Sequence, residues 1–274
     1  AQGDNELAII NVDNGNITRK IDIEEVGAIK SPAWSPDGNT IAFSGLKGGI
    51  SDIYTWNVSS GEVEQLTNDK YADQQPTWSP DQSTIAFVSD RYNQSDFEQL
   101  TYGKAGLSFL DLETREISTL EPFGEVKHIN PQYAPDGRSI YFISDQDGFS
   151  DIYQFTFDSG DLRRITNLQT GVSGITGMSP ALSVARDAGT IIFSVFDNFE
   201  FHIYSLQQGQ AEAGGEQINT FSQNNPGRLL PPSKPLVTTR INNYLSDPFT
   251  GLVPNDTYPV ESAVDYNSSL QLDY

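Results

Sequence analysis

Along this chain a polar turn and an alternating apolar strand are written more than once. WSPDGNTIAF stands at 34–43, WSPDQSTIAF at 78–87 and YAPDGRSIYF at 133–142. In each copy an Ile and a Phe straddle one position: Ile41 and Phe43, Ile85 and Phe87, Ile140 and Phe142. Side chains two apart on a strand share a face, so each pair predicts the buried face of a strand. A degenerate fourth copy runs through Ser179-Pro180-Ala181-Leu182 to Ile191-Ile192-Phe193. The turn has its own logic. In Ser35-Pro36-Asp37-Gly38 the Pro presets φ, the Asp can bond its own backbone, and the Gly permits a tight exit. Gln82 replaces that Gly in the second copy, which predicts a turn with no absolute need for positive φ there.

A second pair of elements follows each copy. Asp52-Ile53-Tyr54 leads through Ser59-Ser60-Gly61 to Glu64-Gln65-Leu66-Thr67. Asp151-Ile152-Tyr153 leads through Asp158-Ser159-Gly160 to Arg164-Ile165-Thr166. His202-Ile203-Tyr204 leads through a Gly-rich turn to Glu216-Gln217-Ile218-Asn219, and Leu107–Leu112 leads to Ser118-Thr119-Leu120. Each reads as strand, hairpin turn, strand. The unit is four short strands, and such a meander alone has two faces and two edges to cover. Stacking the sheets around an axis covers the faces, which predicts an all-β fold, a β-propeller of four-stranded antiparallel blades. An all-β sandwich would not need one turn at one place in each quarter of the chain. The blades are expected at 28–67, 72–120, 127–166 and 172–222.

The repeat resembles the WD40-like propeller repeat of the TolB family. The marks are Pro-x-Trp-Ser-Pro-Asp-Gly, Ile-Ala-Phe, Asp-Ile-Tyr and Gln-Leu-Thr, nearly letter for letter in the first blade. The resemblance covers about residues 1–222. It implies the fold rather than an activity, because the same repeat serves TolB, propeller peptidases and many envelope proteins. Residues 1–23 align with the outer half of a blade through Asn11-Val12 and Gly15, against Asn57-Val58 and Gly61. Either the C-terminal tail supplies the missing inner strands and closes a ring of five, or the chain is the downstream part of a six- or seven-bladed propeller. The second is favoured, because the tail has no Ser-Pro-Asp-Gly copy. That tail, 223–274, with Pro226-Gly227, Pro231-Pro232 and Pro235, predicts a Pro-rich linker or surface strap. Its last residues alternate, like a connector to an outer-membrane β-barrel.

Composition narrows the partners. A net charge of −21 opposes nucleic acid and anionic membrane surfaces and favours cationic partners or divalent cations. There is no cysteine, so disulfides and thiolate metal sites are excluded. No apolar run is long enough for a membrane-spanning helix.

Function is expected on the rim opposite the Ser-Pro-Asp-Gly turns, where the loops vary. The long loop 89–105 offers Arg91, Tyr92, Asp96, Phe97 and Tyr102 as partner-binding residues. Asp145, Asp147 and Asp151 surround Gly148 with oxygen ligands at alternate positions, a Ca²⁺ candidate that competes with an ordinary hairpin loop and lacks the bidentate Glu of an EF-hand. No cofactor is otherwise implied. Catalytic patterns are missing: Gly171-Val172-Ser173-Gly174-Ile175 misplaces the last Gly of a nucleophile elbow. The two histidines do not make a zinc site either; His128 is expected in a connecting loop and His202 at a strand edge. The expectation is a non-catalytic protein- or peptide-binding scaffold of a Gram-negative-type cell envelope, periplasmic or outward-facing. The alternative is the substrate-gating propeller of a larger serine peptidase whose catalytic domain lies outside these residues.

Overall fold

A computed structural model describes residues 6–23, 26–91, 95, 98, 101–124 and 126–218. Tyr92, Asp96 and Phe97, and the whole 223–274 segment, lie outside the described residues. The repeat emerges as a series of antiparallel sheets. A two-stranded half-blade, β1 (Glu6–Ile10) and β2 (Ile17–Asp22), comes first. Blade one is β3 (Ala28–Trp34), β4 (Thr40–Lys47), β5 (Ile50–Asn57) and β6 (Val63–Gln65). Blade two is β7 (Asp73–Trp78), β8 (Thr84–Ser89), β9 (Gly106–Asp111) and β10 (Ile117–Leu120). Blade three is β11 (His128–Tyr133), β12 (Ser139–Ser144), β13 (Asp151–Thr156) and β14 (Leu162–Arg164). Blade four holds β15 (Leu182–Val184), β16 (Ile191–Asp197) and β17 (Glu200–Leu206). The all-β propeller expected from the repeat is therefore the fold.

The Ile–Phe pairs do what their spacing predicted. Ile41, Phe43, Ile85, Phe87, Ile140 and Phe142 are all buried. The apolar clusters lie between sheets rather than within them. Leu7 and Ile23 of the half-blade meet Phe43, Tyr54 and Trp56 of blade one. Ala42 and Ile53 of blade one meet Ile85, Phe87 and Leu110 of blade two. Leu107 of blade two meets Phe142, Tyr153 and Leu162 of blade three, and Tyr141, Ile143 and Ile152 meet Ile191, Phe193 and Val195 of blade four. A thin sheet thus becomes stable by covering its neighbour.

The recurring motifs are hydrogen-bonded units. In the first turn Ser35 Oγ donates to Asp37 at 2.6 Å and accepts from the Thr40 amide at 2.9 Å. Ser79, Asp81 and Thr84 repeat this in blade two at 2.6 and 2.9 Å. The Asp-Ile-Tyr and x-x-Thr segments travel together because they clasp. Thr67 Oγ1 accepts from the Ile53 amide at 2.9 Å and donates to Asp52 at 3.3 Å. In blade three Thr166 Oγ1 accepts from the Ile152 amide at 2.9 Å and donates to Asp151 at 2.7 Å.

Three expectations are corrected. Gln82 sits at φ 63°, close to Gly38 at 73° and Gly137 at 69°, so the second turn does need positive φ and Gln82 adopts it under strain. His128 is not in a loop: it opens β11 and is wholly buried. Finally, no Gly-rich turn follows β17. A helix, α1 (Gln208–Gly214), stands there, and β18 (Glu216–Ile218) pairs with β14 of blade three instead of with β17.

Candidate functional site

The inner strands β3, β7, β11 and β15 line a channel of about 340 Å³. Its wall carries Trp34, Trp78 and Tyr133, one from each of the first three blades, with Pro36, Pro80 and Pro135 beside them. Burial pushes the Tyr133 phenol above its usual range, and the nearby Asp81 charge adds to this, so the ring is neutral at physiological pH. The one charged residue of the lining is Arg186, in a chain whose net charge is −21. Its guanidinium crosses from blade four to blade one and donates to the carbonyls of Pro36 at 2.6 Å, Ser35 at 3.3 Å and Trp34 at 3.4 Å.

The channel wall is built on strained backbone. Each of β3, β7 and β11 shifts register at a residue followed by Pro. Ser31, Gln75 and Asn130 lie there at φ 50°, 53° and 56°, although a residue before Pro ordinarily prefers extended backbone. The bulge turns two of these side chains toward the neighbouring blade. Gln75 Oε1 accepts from the Asn130 amide at 2.7 Å, and its Nε2 donates to the Met178 carbonyl at 2.5 Å. Asn130 Oδ1 in turn accepts from the amides of Ala181 and Leu182, both at 2.7 Å. Ser31, the blade-one counterpart, has a hydroxymethyl in place of the amide. Trp78 Nε1 joins blade two to blade one through the Ala33 carbonyl at 3.1 Å.

On the opposite rim the structure separates the sequence candidates. Arg91 is 11% exposed and is engaged by Asp73 at 2.6 Å and Asp69 at 3.0 Å, with the Tyr71 and Phe87 rings nearby. Burial pushes the Asp73 carboxyl up to about 6, against the opposing pull of Arg91. Tyr102 is 64% exposed. Asp147 and Asp151 both face Arg164, at 2.7 and 2.5 Å, while Asp145 accepts from the Lys127 amide at 3.0 Å. The guanidinium thus stands where a cation would bridge two of the three carboxylates. Among the described residues no three His or acidic side chains converge on a metal-sized point.

Residues 1–108 match the family described as the TolB beta propeller domain. Those residues resemble TolB-type propeller repeats. The Tol-Pal system protein TolB of Bordetella pertussis is 34% identical over 158 residues, which is 57% of this chain and 33% of that protein. Dipeptidyl-peptidase 5 of Porphyromonas gingivalis is 31% identical over 183 residues, 59% of this chain and 26% of that protein. The chain therefore spans about a quarter to a third of these relatives. The crystal structure of TolB from Acinetobacter baumannii superimposes with a TM-score of 0.59 at 22% identity, over 74% of this chain and 46% of that one, a likeness of fold.

In this TolB-like propeller the side chain that links neighbouring blades stands one place before the Pro of the Pro-x-Trp mark. Gln75-Pro76 and Asn130-Pro131 hold an amide side chain at the same repeat position, a signal that was present in the sequence. Among the described residues, no helix of the TolB-like propeller is long and apolar enough to cross a membrane.

Proposed function

We propose that this TolB-like propeller is a non-catalytic scaffold of a bacterial cell envelope that holds a protein or peptide. The observation that supports this most is the channel walled by Trp34, Trp78, Tyr133 and prolines, whose one charged residue, Arg186, is engaged by backbone carbonyls. Flat rings and prolines suit an extended peptide, which stacks on them without needing charge. The varied rim gives a second contact zone, with Tyr102 as its exposed aromatic and Arg91, Tyr92, Asp96 and Phe97 around it in the sequence. The envelope setting, periplasmic or outward-facing, rests on the likeness to Tol-Pal system proteins. Thr77→Arg, which places a long charged side chain in the channel, tests the reading. Immobilised wild-type chain should retain an envelope protein that the variant loses, at unchanged thermal unfolding. If the two retain the same proteins, the channel is not the grip; if Tyr102→Ala also changes nothing, the scaffold reading falls.

A second reading is favoured by the match to dipeptidyl-peptidase 5. In it the propeller selects substrates for a serine peptidase domain encoded after residue 274. A Gly-x-Ser-x-Gly domain there supports this reading, and a run of amphipathic strands supports a barrel-anchored scaffold.

A further inference from the structure

The outer edge of blade four is bare among the described residues, and the strand whose sequence fits it lies elsewhere. In blade one the fourth strand reads Glu64-Gln65-Leu66-Thr67, and Tyr54 pairs with Gln65 and Thr55 with Glu64. Blade four repeats the pattern as His202-Ile203-Tyr204 and Glu216-Gln217-Ile218-Asn219. By register Tyr204 should face Gln217, and Ser205 should face Glu216. In the structure Glu216 instead pairs with Arg164, Gln217 with Arg163 and Ile218 with Leu162.

The consequences appear on both edges. Ile218 packs beside Leu162 and Phe155 at the blade three edge, and Gln217 Nε2 donates to Asp161 at 3.3 Å. Blade four is left open. Phe201 is 50% and Ile203 78% exposed, where Ile53 and Ile152, at the position of Ile203, are wholly buried. The reason is visible in the clasp. Blades one and three lock their fourth strands with an Asp and a Thr, whereas blade four has His202 in the place of the Asp and Asn219 in the place of the Thr. An imidazole cannot accept as a carboxylate does. The nine residues between Leu206 and Glu216, 207–215, are long enough to serve either edge.

We propose that Glu216–Ile218 is an exchangeable strand: it covers the outer edge of blade three in the arrangement described and moves to the outer edge of blade four in a second arrangement. The exchange trades one short antiparallel ladder for another of like length, so neither edge is strongly preferred. It gates the surface of blade four, because in the first arrangement Phe201, Ile203 and the β17 edge, unpaired among the described residues, can accept a partner's strand, and in the second they cannot. The blade three edge is gated in the opposite sense. This rests on the fold and not on the proposed scaffold role.

The chain has no cysteine, so engineered pairs report without interference. Three double variants are oxidised under mild conditions: Arg163→Cys/Gln217→Cys for the first arrangement, Ser205→Cys/Glu216→Cys for the second, and Ser205→Cys/Gln217→Cys as a control whose side chains point to opposite faces. Exchange predicts that the first two cross-link and the control does not, with circular dichroism unchanged. Adding His202→Asp and Asn219→Thr rebuilds the clasp and should raise the ratio of the second cross-link to the first about tenfold, the effect of a charged hydrogen bond. Cross-linking of only one of the first two pairs, or equal cross-linking of the control, overturns the proposal. So does a rebuilt clasp that leaves the ratio unchanged.

Discussion

His128→Phe isolates a buried titration. His128 has no exposed surface, lies parallel to Phe123 at 5.9 Å and tilts against Phe142 at 5.6 Å. Neither ring nitrogen has a well-formed hydrogen bond. Burial pushes the imidazole down to about 4, and the Val126 backbone offsets only part of that. The unfolded chain takes up the proton near 6.5, so between about pH 6.5 and 4 it binds more protons than the native state. The stabilisation is therefore complete above 6.5 and is lost as the pH falls toward 4. At about 1.36 kcal/mol per unit, the change from pH 7 to pH 5 is about 2 kcal/mol. The lower limit of pH 5 keeps the protein above its pI of 4.2. Asp73 acts oppositely: its carboxyl is raised to about 6, so the native state holds the extra proton and stability falls as pH rises from about 4 to 6. That contribution is common to wild type and variant and cancels in their difference. Urea unfolding followed by Trp fluorescence at both pH values supplies the test. Wild type should lose about 2 kcal/mol more than His128→Phe on acidification; equal losses would refute the burial argument.

Gln82→Gly should stabilise by about 0.5–1 kcal/mol, the relief of left-handed strain less the unfolded-state entropy of Gly; a lower urea midpoint would contradict the turn geometry. Asp151→Ala strands Arg164, Thr166 and the Leu168 amide in a buried site and should cost about 3–5 kcal/mol, against under 1 kcal/mol if the clasp were ornamental. Gly45→Ala would set a Cβ 2.7 Å from the Tyr54 ring and 2.8 Å from Val26, so a loss of about 1–3 kcal/mol is expected in the same assay.

The blades were legible because their signals are local and repeated. Ile41 and Phe43, the Ser35 turn and the Asp52–Thr67 pairing all lie within one blade, and each copy checks the others. What joins blades was not legible. Nothing near Gln75 announces that it meets Asn130, 55 residues on. Arg91 read as a loop cation because its partner Asp73 stands on another strand. Blade four went astray for a related reason: its letters fit a fourth strand, but His202 removed the acceptor that would have held it. Residue identity alone does not reveal the Gln82 turn, since a non-Gly residue can occupy left-handed backbone when its surroundings over-determine it.

The run of side-chain amides along the channel has a direction. Blade two's Gln75 holds the inner strand of blade three, and blade three's Asn130 holds that of blade four, so dependence passes toward the C-terminal side. Blade four is also tied back, through the Met178 carbonyl to Gln75 and through Arg186 to the carbonyls of Trp34 and Pro36. Removing the Gln75 amide should therefore loosen the contacts of blades three and four together, so that the channel wall answers a single change as one linked set of strands.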